Sequence, residues 1–346
     1  MKRDQGVSRH RSRRPSRMAH CACWLVLVGT GYGCDETTPR STTEPVAVDT
    51  VPSASSLAAA PSGASSAPPP LSGPATEVPK AAKTCGELRC LEFKNARAAF
   101  EQVLSRDPRV LAIGEAHAQK GSEGVQSGAA RFKDQLLPSL EGKASDLLLE
   151  LWFPDPKCRK ETVKQVKKQQ EAVTKKQASS NKNEYVELGN AAKALGITPR
   201  SLHPSCEELE AITKAGSGDI GLMLETVAKN TQKDVEFLLK RQAAGGESEL
   251  IVAYGGALHN DPYPKPGAET WSFGAPLKQR TRYVALDVIV PEYIKDSPAW
   301  KAMPWYQAYK ALSSRRSEHG ALLFEPRPDE LILVFPRTAS PTPRTE

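Results

Sequence analysis

Two stretches of the chain repeat one small device whose residue types could do chemistry. Val110-Leu111-Ala112-Ile113 runs into Gly114-Glu115-Ala116-His117, and Ile251-Val252-Ala253-Tyr254-Gly255 runs into Gly256-Ala257-Leu258-His259. Each is an apolar run of strand type followed by G-x-x-H. A glycine at a strand end lets the backbone turn sharply and lets other groups come close. A third apolar run, Asp146-Leu147-Leu148-Leu149-Glu150-Leu151, ends on a carboxylate. In open α/β sheets ligands bind at the carboxyl ends of the strands. The spacing therefore predicts Glu115, His117, Glu150 and His259 together at one sheet edge.

Two imidazoles and two carboxylates have two natural uses. They can bind a divalent metal, with Glu115, His117 and His259 as ligands to Zn, Mn, Fe or Co. They can instead act as side chains alone, with a histidine as general base and a glutamate orienting it or a water. Either form activates water against an ester or amide. A single G-x-x-H is weak evidence, because a lone histidine is more often a satisfied surface or core residue; its recurrence after two buried strands is what singles it out. The sequence holds neither the G-x-S-x-G of serine hydrolases nor the H-E-x-x-H of zinc peptidases.

Nearby residues make weaker claims. His203, in "RSLHPSCEE", follows a short strand pattern and could reach the same edge; beside Pro204 and a disulfide candidate it also suits a structural role. Asn260 and Asp261 follow His259 directly and could orient it or bind a ligand. His203 and Asn260 are thus the candidate cofactor-binding residues. Arg200 could hold an anion or sit in an ion pair. Glu225 falls on an amphipathic helix and reads as a surface charge. Trp152, Trp271 and Trp305 suit packing better than a haem or sugar platform. His319 reads as an exposed loop residue.

The elements that must position these residues are legible as alternating patterns. Continuous apolar runs at Arg109–Ile113, Asp146–Leu151 and Glu249–Tyr254 suit strands covered on both faces. Thr198–Leu202 and Arg282–Val290 add two more, and Ala321–Phe324 with Glu330–Phe335 flank a Pro-Arg-Pro-Asp turn as a terminal hairpin. Helical patterns occupy Cys90–Ser105, Ala129–Leu140, Pro156–Ser179, Glu184–Leu195 and Ser217–Ala244. Such alternation predicts an α/β domain over 84–336, with a mostly parallel central sheet flanked by helices, a helical insertion and a C-terminal β-hairpin. Residues 337–346 read as a disordered tail.

The 346-residue chain carries a formal charge of +7. Residues 1–33 hold seven Lys or Arg against one acid, so +6 of that charge sits there and +1 remains for the rest. That remainder gives no electrostatic reason to expect nucleic acid. The Lys-rich stretch 157–182 lacks interleaved aromatics and reads as a solvated helix face.

The basic start, the short apolar run Cys23–Val28 and the small residues after it read as a secretory signal. Gly31-Tyr32-Gly33-Cys34 resembles a bacterial lipobox, with Gly31 where Leu or Val is usual. Residues 1–34 are therefore a signal peptide ending in a lipidated Cys34. Residues 35–83, rich in Ser, Ala, Thr and Pro, have too few large apolar residues to fold, and serve as a disordered tether. The expected location is the bacterial cell envelope, exported and held to a membrane through Cys34.

Of seven cysteines, Cys85, Cys90, Cys158 and Cys206 remain for the domain. In an oxidising compartment they predict the disulfides Cys85–Cys90 and Cys158–Cys206. A four-cysteine zinc site would need C-x-x-C pairs that are absent.

The run "VLAIGEAHAQKG" resembles the opening motif of the superfamily that includes erythromycin esterases, ChaN-like haem-binding lipoproteins and Tiki/TraB proteins. "LLLELW" with Glu150 and "IVAYGGALHND" with His259 are similar to its second and late strands. The resemblance spans roughly Cys90 to Val290 and rests on short motifs. It implies an α/β fold, the four site residues already gathered, and one of three activities. Erythromycin-esterase-like chemistry would be ester hydrolysis by a histidine base, and Tiki-like chemistry metal-dependent peptidase action. A ChaN-like lipoprotein would bind haem or another ligand without catalysis. The signal, cysteine and tether stand closest to the ChaN-like branch, although no motif here matches its haem-ligating positions.

Overall fold

Most strand residues of this chain are apolar in unbroken runs, and a strand points successive side chains to opposite faces. Such strands need cover on both sides, which is what the fold supplies. The computed structural model describes residues 83–85, 88–122, 124–216, 219–313 and 320–338; for Lys83–Cys85 the backbone alone is described. The signal, Cys34, residues 35–82 and His319 lie outside the described residues, and Lys83, expected as the last residue of the tether, begins the first strand.

Among the described residues, nine strands form one mixed sheet: β1 (Lys83–Cys85), β2 (Leu88–Phe93), β3 (Val110–Glu115), β4 (Ala144–Trp152), β5 (Thr198–Leu202), β6 (Leu250–Gly256), β7 (Tyr283–Ile289), β8 (Ala321–Arg327) and β9 (Glu330–Val334). Their order is β1-β2-β8-β9-β7-β3-β6-β4-β5. The six strands from β9 to β5 run parallel, and β8, β2 and β1 extend the sheet antiparallel. The expected α/β fold with a mostly parallel sheet is thus what the chain forms.

The helices are α1 (Ala96–Leu104), α2 (Gly128–Arg131), α3 (Lys160–Val173), α4 (Asn181–Ala194), α5 (Cys206–Ala215), α6 (Ile220–Gly245), α7 (Gly274–Lys278), α8 (Pro298–Lys301) and α9 (Tyr306–Ser313). Alternate residues of the central strands divide between two cores. Leu111, Ile113, Leu147, Leu149 and Val252 face α1, α4 and the turns after α2. Val110, Ala112, Leu148, Ile251 and Ala253 face α6 and α7 through Val235, Leu238 and Leu277. At the antiparallel edge, Trp300, Trp305, Tyr306 and Tyr309 cover β8 and β9. Trp305, 2% exposed, is therefore packing. Among the described residues no helix is long and apolar enough to cross a membrane.

Several elements differ from the expectation. Residues 90–93, expected as the start of a helix, belong to β2, which pairs with β8. The helix begins only at Asn95, whose side chain accepts from the Ala98 N–H at 2.8 Å. The second helical region is a single turn of α-helix followed by a π-turn and a 3-10 turn. Pro138 at the start of that last turn lacks the N–H that a continuing helix would need. Residues 206–215 form α5, which starts on a capping box: Ser205 accepts from the Glu208 N–H, and Glu208 accepts from the Ser205 N–H. The stretch Ser217–Ala244, expected as one or two helices, contains the single helix α6, ended by left-handed Gly246.

Cys158 and Cys206, 48 positions apart in sequence, form a disulfide. It ties the segment before α3 to the first turn of α5, beside Val166, Leu209 and Ile212. A loop of that length makes the bond worth about 2–4 kcal/mol through restriction of the unfolded chain. The Cys85–Cys90 pair involves Cys85, whose side chain lies outside the described residues.

Sheet register sets up the site. Glu115 at the end of β3 stands level with Gly256 of β6, and Gly114 stands level with both Gly255 and Asp287. Leu149 of β4 stands level with Tyr254, and the β4–β5 register then shifts before Trp152. A shift of that kind re-aims the side chains it carries, and Glu150 lies within it.

Candidate active site at the carboxyl edge of the sheet

Glu115 closes a strand and is 4% exposed. A carboxylate at such a position must be fully hydrogen-bonded, and it is. Tyr185 of α4 donates to Oε1 at 3.0 Å, and Tyr254 of β6 donates to Oε2 at 2.8 Å. His117 Nδ1 lies 3.1 Å from Oε1. Burial, followed by the charge of Glu115, pushes both tyrosine hydroxyls well above their ordinary range, so they remain neutral donors.

Burial by itself would push the His117 imidazole down. The hydrogen bond and charge of Glu115, with a further contribution from Glu150, outweigh it and raise the pKa from 6.5 to about 9. His117 is therefore an imidazolium at neutral pH. Its Nδ1–H points at Glu115, and its Nε2 lies beside Gly256.

The second pair is built differently. His259 is 4% exposed. Its Nδ1 lies 2.8 Å from the Trp271 carbonyl oxygen. A carbonyl only accepts, so Nδ1 carries a proton, and in the neutral form of the ring the lone pair is on Nε2. That atom faces Glu150 Oε1 at 3.6 Å, longer than a hydrogen bond. The other oxygen, Oε2, accepts from the Gly256 N–H at 2.7 Å. Glycine at 255 makes this possible: a Cβ there would lie 2.6 Å from Oε2.

The two pairs meet over Gly256. The place a Cβ would take on that residue lies 3.3 Å from His117 Nε2 and 3.6 Å from Glu150 Oε2. Glu115, His117, Glu150 and His259 are thus brought together, in two hydrogen-bonding environments of opposite character. Behind Glu150 and His259 lies a crevice lined also by Gly255, Asn260 and, from α6, Thr231. It leaves about 10 Å³ to the centre of a water-sized sphere, room for about one water molecule.

Asn260 is 2% exposed and lines this crevice. Its Nδ2 donates to Asp287 Oδ1 at 3.0 Å and lies 3.3 Å from the Ala112 carbonyl oxygen. Asp287, on β7, sits where burial, assisted by Glu330 and Asp261, raises its pKa from 3.8 to about 7 against the lowering effect of the Asn260 hydrogen bond. Gly114 is the close-approach point of this arrangement. A Cβ there would lie 2.7 Å from both Asn260 Nδ2 and Asp287 Oδ1, and 2.6 Å from the Ala257 Cα. The first glycine of one G-x-x-H motif thus makes room for the loop of the other.

His203 is not brought into this group. It is exposed, its Nδ1 lies 2.9 Å from the Phe153 carbonyl oxygen, and its Nε2 faces the Ser201 hydroxyl at 3.3 Å. Those contacts turn the ring toward its own strand end rather than toward the crevice, which the expected cofactor-binding role would have required. Arg200 pairs with buried Asp146, which Arg241 also contacts. Glu225 is exposed in a groove between α5 and α6, beside Glu207 and Lys229. Trp271 serves through its backbone, as the acceptor for His259.

Among the described residues, no three His, Cys, Asp or Glu side chains form a group that could hold a metal ion. The expected metal ligands Glu115, His117 and His259 divide between the two pairs, and Glu115 is engaged on both oxygens.

Tyr185, Tyr254 and Asp287 were not legible as site residues. Asp287 leaves one trace, a lone acid inside the apolar strand Tyr283–Ile289. Tyr254 directly precedes the double glycine. Tyr185 sits in a polar helix, and no local feature marks it.

Compared with known proteins, the chain matches no family model, no curated protein and no solved structure.

Proposed function

We propose that this protein is a hydrolase that activates water against an ester or amide at the carboxyl edge of its sheet. One observation carries the reading: the two histidines have Nδ1 partners of different kind, a carboxylate for His117 and a backbone carbonyl for His259. His259, with Nδ1–H fixed on the Trp271 carbonyl, offers Nε2 as general base, and Glu150 beside it orients the water. His117, kept as an imidazolium by Glu115, carries its Nε2 beside Gly256, on the side that Glu150 also approaches. It can stabilise the oxyanion that develops on the carbonyl and protonate the leaving group. Glu115 positions His117, since its own oxygens are already engaged.

The reading agrees with the resemblance to erythromycin esterases. The ChaN-like alternative, capture of haem or another ligand without catalysis, would use the same edge. The helices α3 and α4, between β4 and β5, fit the expected insertion, and β8 with β9 the terminal hairpin.

Hydrolysis of 4-nitrophenyl acetate and of a peptide nitroanilide tests the proposal. The rate should exceed the buffer blank and fall as pH rises through about 9, where His117 loses its proton. No hydrolysis of either substrate class, with a Soret shift on adding haem, would favour the binding reading instead.

We further propose that the domain works at the bacterial envelope, tethered through a lipid on Cys34. The order of basic segment, apolar run, cysteine and Pro-rich spacer supports this. Cys34→Ala should move the protein from the membrane fraction to the soluble envelope fraction. Retention at the membrane would contradict the anchor.

A further inference from the structure

The fixed polar groups that line the crevice share one property, which is that each accepts hydrogen bonds. Glu150 presents a carboxylate oxygen, and His259, whose Nδ1 proton is held by the Trp271 carbonyl, presents the Nε2 lone pair in its neutral form. Asn260 presents Oδ1, which is buried and has no hydrogen-bond partner. An amide nitrogen has two hydrogens. Those of Asn260 are directed at Asp287 Oδ1 and the Ala112 carbonyl. Reversing the amide would set its oxygen against the Ala112 carbonyl and, while Asp287 is ionised, against a second acceptor, and would turn its N–H groups into the crevice. Asp287 and Ala112 therefore decide which end of Asn260 a ligand meets. The Gly256 N–H is already engaged by Glu150. Of the other polar side chains that line it, the Tyr254 hydroxyl is engaged as donor to Glu115, and the Thr231 hydroxyl can rotate to donate or accept. A buried acceptor without a partner calls for a donor, and the space fits one small group.

We propose that Asp287, acting through Asn260, makes the crevice a subsite for a small group that donates hydrogen bonds: water, or the protonated primary amine of a ligand. An ammonium head has three donors and no acceptor, which matches three acceptors of which one is a carboxylate. A water has two donors; with one hydrogen held by Asn260 and the other facing His259 Nε2, a lone pair is left for attack. The water form rests on the hydrolytic reading, and the amine form stands without it. Asp287 is a positioning residue here, since it touches Asn260 and not the bound group.

Titration of the full-length protein with methylammonium chloride, followed by the ring nitrogen signals of His259 in NMR, separates the two donors. Sodium acetate and tetramethylammonium chloride serve as probes without N–H donors. In the amine case methylammonium shifts the His259 signals saturably, and the other two salts do not. Asp287→Ala weakens that response at least tenfold, and Asp287→Asn, which keeps an oxygen facing Asn260, restores it. In the water case methylammonium has no effect. Turnover of 4-nitrophenyl acetate then falls at least tenfold in kcat in Asp287→Ala with KM unchanged, and recovers in Asp287→Asn. Asn260→Ala removes the acceptor itself and gives the same losses, which covers an Asp287→Ala variant that does not fold.

Acetate shifting the same signals would overturn the inference. So would Asp287→Ala and Asn260→Ala variants that match wild type, or a wild type that shows neither response. Methylammonium binding without turnover removes the hydrolase and leaves the subsite. Turnover indifferent to Asp287 and Asn260, with no methylammonium response, removes the subsite and leaves the hydrolase.

Discussion

Replacing His259 with alanine should lower kcat for ester hydrolysis by roughly 10²- to 10⁴-fold, the span of a general base in position. The expectation follows from how the ring is held. Its Nδ1–H is fixed on the Trp271 carbonyl, and the Phe273 N–H and the Ser272 hydroxyl grip the His259 carbonyl at 2.9 and 3.2 Å. The base is thus pre-set, and Nε2 has one facing group, Glu150 Oε1. Glu150→Gln should act in the same direction with a smaller loss, because an amide still fits over Gly255 but no longer carries charge. Glu225→Gln, in the groove between α5 and α6, should leave the rate unchanged. Circular dichroism and thermal unfolding of each variant separate loss of chemistry from loss of fold. A His259→Ala variant that is folded and keeps full kcat would remove His259 as the base.

Glu115→Gln should have the second large effect, on the titration of His117. In wild type the imidazolium is maintained to about pH 9 because Glu115, helped by Glu150, outweighs burial. Gln keeps one carbonyl oxygen, for either Tyr185 or Tyr254, sets an NH2 in place of the other and removes the charge, and burial then dominates. The His117 pKa should fall from about 9 to 6.5 or below, read by NMR titration of the ring. The alkaline limb of the hydrolysis profile should move with it, so that activity near pH 8 largely disappears in the variant.

Stability follows the same linkage. A histidine whose folded pKa is raised stabilises the fold fully below its unfolded pKa, near 6.5, and that contribution is lost as pH rises through about 9. Wild type should therefore lose up to roughly 3 kcal/mol of unfolding free energy over that window, and Glu115→Gln should lack this slope. Denaturant unfolding at pH 6 and pH 9.5 measures the difference. Equal slopes in the two proteins would mean that the Glu115–His117 pair does not hold the proton.

Much of the site was legible because its parts are local. β3, β4 and β6 are covered on both faces, so their apolar runs are unbroken, and the residues that end them stand out by contrast. Glu115, His117, Glu150 and His259 are such residues, and parallel register carries them to one edge without further information. The remainder is tertiary. Tyr185 reaches Glu115 from a helix 70 residues away in sequence, and nothing in its own segment shows that. Asp287 matters because Gly114 leaves space above a neighbouring strand. His203 follows a strand as His259 does, yet the Phe153 carbonyl takes its ring. The capping box at Ser205–Glu208 was visible as S-x-x-E; the helix it starts is short, and its proline- and cysteine-containing approach resembles a loop. The β2 segment shares apolar spacing with a helix over a few residues, and only pairing with β8 decides between them.

The account turns on two histidines that hold their protons differently, and nitrogen NMR of the wild-type rings reads this directly. The predicted result is a His117 with both ring nitrogens protonated at pH 7.5, titrating near pH 9, and a His259 whose neutral form is the Nδ1–H tautomer. A His117 that titrates at or below 6.5, or a neutral His259 protonated on Nε2, would contradict it.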